Sequence, residues 1–156
     1  MIGLVLPNRI DMMGAALALV GRLAKAAGFD QDAHDDIRIA VHEALVNAVV
    51  HGNEGEEARR VSLRLALHAD RLEIRVQDEA WDFDPGTAPD ALAPENPVKP
   101  TGQGIVMMRA LMDEVTFRRL VPGMEVTMVK RLPTAAAPAG TTDGVPLFQG
   151  VPSTER

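Results

Sequence analysis

The stretch Glu43-Ala44-Leu45-Val46-Asn47-Ala48-Val49-Val50-His51-Gly52-Asn53 decides how this chain is read. Its apolar residues continue a helix that begins near Asp30 or Asp32 and runs through Ile37, Val41, Leu45, Ala48 and Val49 to a stop at Gly52. An aspartate at the start can accept hydrogen bonds from the free first-turn amides, and glycine is a common terminator. Glu43, Asn47 and His51 recur at every fourth position, so they stack on one face with a slow drift. Their neighbours Ala44, Leu45, Val46, Ala48, Val49 and Val50 are all apolar. Two readings stand. The polar row is the solvent face of an amphipathic helix, or it is a carboxylate and an amide kept in register on a largely buried helix because chemistry needs them.

Working outward, Leu4 to Leu6 reads as a short strand. Met12 to Ala27 reads as an Ala-rich amphipathic helix that stops at Gly28. Beyond the deciding helix, Val61, Leu63, Leu65 and Leu67 alternate with Ser62, Arg64 and Ala66. After a turn at Ala69-Asp70-Arg71, Leu72, Ile74 and Val76 alternate with Glu73, Arg75 and Gln77. Period-two alternation of this kind makes a hairpin with one wet face. Gly104 to Met112 reads as a short helix. Val115 and Phe117, then Met124, Val126 and Met128, form a second strand pair about the Pro122-Gly123 turn. The order predicts an α+β fold: a two-layer sandwich with a mostly antiparallel sheet and helices on one face. Five of the 11 prolines fall between Pro85 and Pro100 and four beyond Leu132, which divides the chain into a domain over 1–132 and a flexible Pro/Ala/Gly/Thr-rich tail over 133–156.

Composition removes several function classes. With 156 residues the chain is one domain with room for a real core. It has no cysteine, so disulfides, zinc-thiolate sites and thiol nucleophiles are excluded. Aromatics are 3% and the net charge is −6, which argues against nucleic-acid binding by stacking or by phosphate tracking. No stretch reaches the roughly 20 apolar residues of a membrane span. The apolar start is too short for a secretory signal, and a cytoplasmic protein without a membrane partner is expected.

Two further segments can carry chemistry. Asp78 ends the second hairpin strand, with Phe83 shortly after it. An acid there can accept a hydrogen bond from a base edge while an aromatic ring lines a pocket, or it is an ordinary turn residue. Thr101-Gly102-Gln103-Gly104-Ile105 sets two glycines at the opening of an apolar helix, where backbone amides and the helix dipole favour phosphate. It is neither a P-loop nor a dinucleotide fingerprint. His42-Glu43 begins a zinc-protease pattern, but Val46 occupies the place of the second histidine, and no Gly-x-Ser-x-Gly elbow exists.

In this order the three segments resemble the N, G1 and G2 boxes of the GHKL ATPase superfamily, and most closely its anti-sigma factor serine kinases. Glu43 to Asn53 is similar to the N box, Asp78 to Pro85 to the G1 box, and Thr101 to Ile105 to the G2 box. The resemblance covers roughly 1–132 and implies the Bergerat, histidine-kinase-like fold. It implies ATP and Mg²⁺ as cofactors, with Asn47 holding the metal and Glu43 as general base toward an acceptor serine. Asp78 would accept the adenine amino group, and Ala80, Phe83, Thr101, Gly102, Gln103, Gly104 and Ile105 would complete the ATP site. The loop from Gly86 to Pro100 would be the ATP lid. The implied partners are a sigma factor and a STAS-type anti-anti-sigma protein, and the family's frequent dimers make a homodimer an expectation. The G1 segment departs from the family pattern: Ala80 and Asp82 stand where glycines are usual. That departure keeps open an alternative, a non-catalytic regulatory binding module with a degenerate nucleotide site. A histidine-kinase core fits less well, because no helix pair with a phosphoacceptor precedes the domain.

Overall fold

A computed structural model of the chain describes residues 1–79 and 100–134. Chain order is β1 (Ile2–Pro7), a single 3₁₀ turn (Ile10–Met12), α1 (Met13–Ala27), α2 (Gln31–Val46), β2 (Arg60–Leu67), β3 (Arg71–Gln77), α3 (Pro100–Leu111), β4 (Glu114–Arg119) and β5 (Met124–Arg131). The strands form one five-stranded sheet in the order β1-β2-β3-β5-β4, with every neighbouring pair antiparallel. The expected two-layer α+β sandwich is therefore what forms.

Local chemistry sets the helix ends. Asp30, not Asp32, caps α2: its carboxylate accepts from the Ala33 amide at 2.8 Å. Gly28 closes α1 at φ 91°, and its amide bonds back to the Ala24 and Lys25 carbonyls. The alternation of β2 and β3 becomes register: Leu63 lies opposite Val76, Leu65 opposite Ile74 and Leu67 opposite Leu72. These residues turn one face of the sheet toward the helices. Leu63, Leu65, Ile74, Val76 and Met128 meet Ala16, Val20, Ile37, Val41 and Leu45 in a single buried core. The opposite face is polar and laced with ion pairs, Arg75 to Glu73 at 2.6 Å and Arg118 to Glu125 at 3.0 Å. Glu125 is buried beneath its arginine, so that pairing offsets the cost of placing a carboxylate on this face.

Among the boundaries that differ from the sequence expectations, those of β1, α2 and α3 differ most. β1 spans Ile2–Pro7 rather than Leu4 to Leu6, because pairing with β2 extends it from Ile2↔Leu65 to Pro7↔Arg60. The α-helical winding of α2 ends at Val46, and Asn47–Gly52 continues it as a wider π-helical turn. The third helix starts at Pro100, not Gly104. Proline is well placed at a first helical position, since it has no amide to leave unpaired and its φ is already helical. Pro100 is therefore a helix residue and not the last residue of a loop.

Lys130 on β5 fixes where α3 lies. Its ammonium donates to Asp36 of α2 at 3.0 Å and to the Leu111 carbonyl at the C-terminal end of α3 at 2.6 Å. A cation at a helix C-terminus also meets the negative end of the helix dipole.

Candidate functional site

The segment from Glu43 to Gly52 meets two other parts of the fold. Its first residues lie against α3. A Cβ placed on Gly104 would stand 2.9 Å from Glu43 Oε2 and 3.5 Å from the Asn47 amide nitrogen. Gly104 is buried, while Glu43 and Asn47 are half-buried. The polar row is thus not a solvent face at these two positions; only His51, carried round by the π-helical turn, is exposed. A glycine at 104 lets the two helices approach closely enough for a carboxylate and an amide to share the space between them.

The last residues of the same segment lie against Asp78. A Cβ on Gly52 would stand 2.2 Å from Asp78 Oδ2. On the other side, a Cβ on Gly123 would stand 2.0 Å from the Asp78 carbonyl oxygen, and Gly123 has φ 99°. Asp78 is 6% exposed. Its amide donates to the Met124 carbonyl at 3.0 Å, and its Oδ1 accepts from the Met124 amide at 3.0 Å. One carboxylate oxygen is thereby tied to the start of β5, and the other is turned toward the end of the π-helical turn. An acid at a strand end whose backbone and carboxylate are both held is well suited to recognising a fixed donor.

The opening of α3 supplies a different resource. In an α-helix whose first residue is Pro100, the amides of Thr101 and Gly102 have no intrahelical acceptor, whereas those from Gln103 onward bond four residues back. The free first-turn amides that can face an anion are therefore those of Thr101 and Gly102. Gly104 also allows close packing, with no room for a side chain against Glu43. Ile105, 8% exposed, packs into the core cluster, so what it can give the site is the seating of α3. Gln103 is exposed. Ala80, Asp82 and Phe83, all of the expected lid over 86–100 except Pro100, and the expected tail over 133–156 from 135 onward lie outside the described residues.

For a metal, the site offers one kind of ligand. Among the described residues no three His, Cys, Asp or Glu side chains converge. The Asn47 amide is the neutral oxygen donor at this end of α2. That fits Mg²⁺, which keeps several waters and takes its remaining ligands from substrate phosphates. A groove of about 260 Å³ lies elsewhere, between α1 and α2, lined by Leu17, Gly21, Arg22, Lys25, His34 and Arg38. None of the candidate residues lines it.

Sequence reasoning missed Asn8 and Asn53. Asn53 is fully buried, and its amide joins Asn8, the Arg60 carbonyl and the Glu79 amide. The one local signal was an amide directly after Gly52 at the end of an apolar helix.

Comparison with known proteins places this geometry in a class. Residues 6–130 match the histidine kinase-like ATPase domain family. The serine-protein kinase RsbW of Bacillus licheniformis is 32% identical over 142 residues, covering 87% of this chain and 88% of the relative. RsbW of Bacillus subtilis is 33% identical over 132 residues, covering 81% and 82%. RsbW of Listeria monocytogenes is 30% identical over 135 residues, covering 83% and 85%. The chain belongs to the RsbW serine-protein kinase family of histidine kinase-like ATPase domains, as the resemblance of its three boxes implied. A crystal structure of the RsbU and RsbW domains of a Mycobacterium tuberculosis protein shares the fold, with a TM-score of 0.56 at 20% identity. It is matched over 84% of this chain, which spans 32% of that longer one. Among the described residues no helix is long and apolar enough to cross a membrane.

Proposed function

We propose that this chain is an ATP-dependent serine/threonine protein kinase that works as a cytoplasmic anti-sigma factor. Its acceptor is a serine or threonine of a STAS-type anti-anti-sigma protein, and it sequesters a sigma factor until that partner displaces it. A homodimer is the expected assembly. The observation that carries the reading is the apposition of Glu43 and Asn47 to Gly104 of α3, in a chain of the RsbW family.

The chemistry follows from these positions. Asp78 accepts the adenine amino group, with its carboxylate held by Met124. The first-turn amides of α3 and its dipole stabilise the phosphate charge. Asn47 would hold Mg²⁺, which when bound neutralises charge on the phosphates. Glu43, in its carboxylate form, accepts the proton from the acceptor hydroxyl as that oxygen bonds to the γ-phosphorus. The bond from the γ-phosphorus to the β,γ-bridging oxygen breaks and ADP departs. Because the transition state is loose, positioning and charge neutralisation supply most of the acceleration.

The test is phosphoryl transfer from Mg-ATP to a STAS-type protein, with binding measured in parallel. Glu43→Gln keeps nucleotide affinity within a few-fold and slows transfer by about 10²–10⁴. Transfer by Glu43→Gln at the wild-type rate removes Glu43 as the base. Asp78→Asn weakens ATP binding by about tenfold or more, the scale of a hydrogen bond to a charged group. Tight Mg-ATP binding by wild type without transfer to any such acceptor would leave the non-catalytic module.

A further inference from the structure

The geometry points to Asn53 as a positioning residue for adenine recognition, held in turn by Asn8. This rests on the reading of Asp78 as the adenine acceptor and adds the device that aims it. Asn53 is 0% exposed, and Asn8 is 3% exposed. Burying an amide is costly unless each polar atom finds a partner. Here each does. The Asn53 amide nitrogen donates to Asn8 Oδ1 at 3.1 Å and to the Arg60 carbonyl at 3.0 Å. Asn53 Oδ1 accepts from the Glu79 amide at 2.9 Å. Asn8 donates onward to the Glu56 carbonyl at 3.0 Å and to the Val49 carbonyl at 3.4 Å.

The bond to Glu79 matters most, because Glu79 directly follows Asp78. Met124 holds the N-terminal side of Asp78 through its amide, and Asn53 holds the peptide on the C-terminal side. With both flanking peptides pinned, the Asp78 backbone cannot rotate, and the carboxylate keeps the direction set by the Met124 amide. The Glu79 side chain closes the arrangement by accepting from the Arg60 amide at 2.9 Å. Asn53 also follows Gly52, whose bare Cα leaves room for Asp78 Oδ2. One dipeptide thus clears the space for the carboxylate and fixes its orientation. A satisfied polar network specifies direction in a way that an apolar plug of equal volume does not.

The test reads selectivity instead of affinity alone. ATP is compared with purine riboside triphosphate, which lacks the 6-amino group, by calorimetry on the full chain. Wild type prefers ATP by about tenfold or more. Asn53→Ala narrows that preference by roughly fivefold, because Asp78 loses its aim, while binding of the deaminated analogue changes little. Val20→Ala, a core truncation on α1, serves as the destabilised control and keeps the wild-type preference. Asn8→Ala, which leaves the Asn53–Glu79 bond in place but unbraces Asn53, narrows the preference less and carries the test if Asn53→Ala fails to fold. An unchanged preference in whichever variant folds overturns the positioning role. If wild type and Asp78→Asn show no preference for ATP at all, the adenine assignment of Asp78 fails and the role of Asn53 falls with it.

Discussion

Glu43 and Asp78 are both acids set against a glycine, yet the two glycines face different things. Gly104 faces the tip of a rotatable side chain, Glu43 Oε2 at 2.9 Å. Gly123 faces backbone, the Asp78 carbonyl oxygen at 2.0 Å. Around Asp78 the structure is fixed by main-chain bonds to Met124 and by the Asn8–Asn53 network. Among the described residues, Glu43 has only a longer ion-pair contact, to His42 at 3.8 Å, and its side chain is 28% exposed. On the proposed roles, the adenine end is held by more bonds within the described residues than the transfer end. That division suits a kinase that must read one unvarying purine but admit the hydroxyl of a second protein.

A series of glycine-to-alanine changes grades this contrast. Gly123→Ala has the largest effect: a Cβ would overlap main-chain atoms, and φ 99° is unfavourable for alanine. A stability loss of about 3 kcal/mol or more is expected in denaturant titration; a loss under about 1 kcal/mol would mean the Asp78 end is not rigid. Gly52→Ala comes next. Its Cβ meets the Asp78 carboxylate, which must swing aside, so ATP affinity falls about tenfold for a stability cost of about 1–3 kcal/mol. Undiminished affinity in a calorimetric titration would show that Asp78 is free to move.

Gly104→Ala separates stability from activity. Replacing an interior helical glycine gains about 1 kcal/mol of helix propensity, which offsets the contact with Glu43 Oε2. The melting temperature therefore stays close to wild type while transfer slows roughly tenfold, the scale of a displaced catalytic group. Wild-type transfer by this variant would place the Glu43 carboxylate away from the reacting centre. Gly21→Ala is the smallest step. Its Cβ would lie 3.1 Å from His34 Nε2, a side-chain tip in the separate α1–α2 groove. Stability within about 0.5 kcal/mol of wild type and unchanged ATP binding are expected.

Much of this molecule was legible in local pattern. The alternation of Val61–Leu67 and Leu72–Val76 became β2 and β3 in the expected pairing, because a two-residue period admits one register once one face is apolar. Gly28 ended α1 and Asp30 capped α2, since caps act over three or four residues. The opening of α3 was misplaced by four residues because the glycines drew attention from Pro100, which by position alone marks a first helical residue. The π-helical turn at Asn47–Gly52 left no mark in the hydrophobic period.

The amino-acid order by itself determined the strands, the capped helices and the sandwich, and it singled out the acids and amides proposed to carry the chemistry. These depend on interactions between near neighbours and on the burial of one face, both written in residue spacing. Only the tertiary structure decided that Gly104 serves packing, that Gly52 and Gly123 flank Asp78, and that Asn8 reaches across 45 positions to hold Asn53. Each of these is a contact between segments distant along the chain. Its energy arises from close approach and exclusion of water, which no local periodicity encodes.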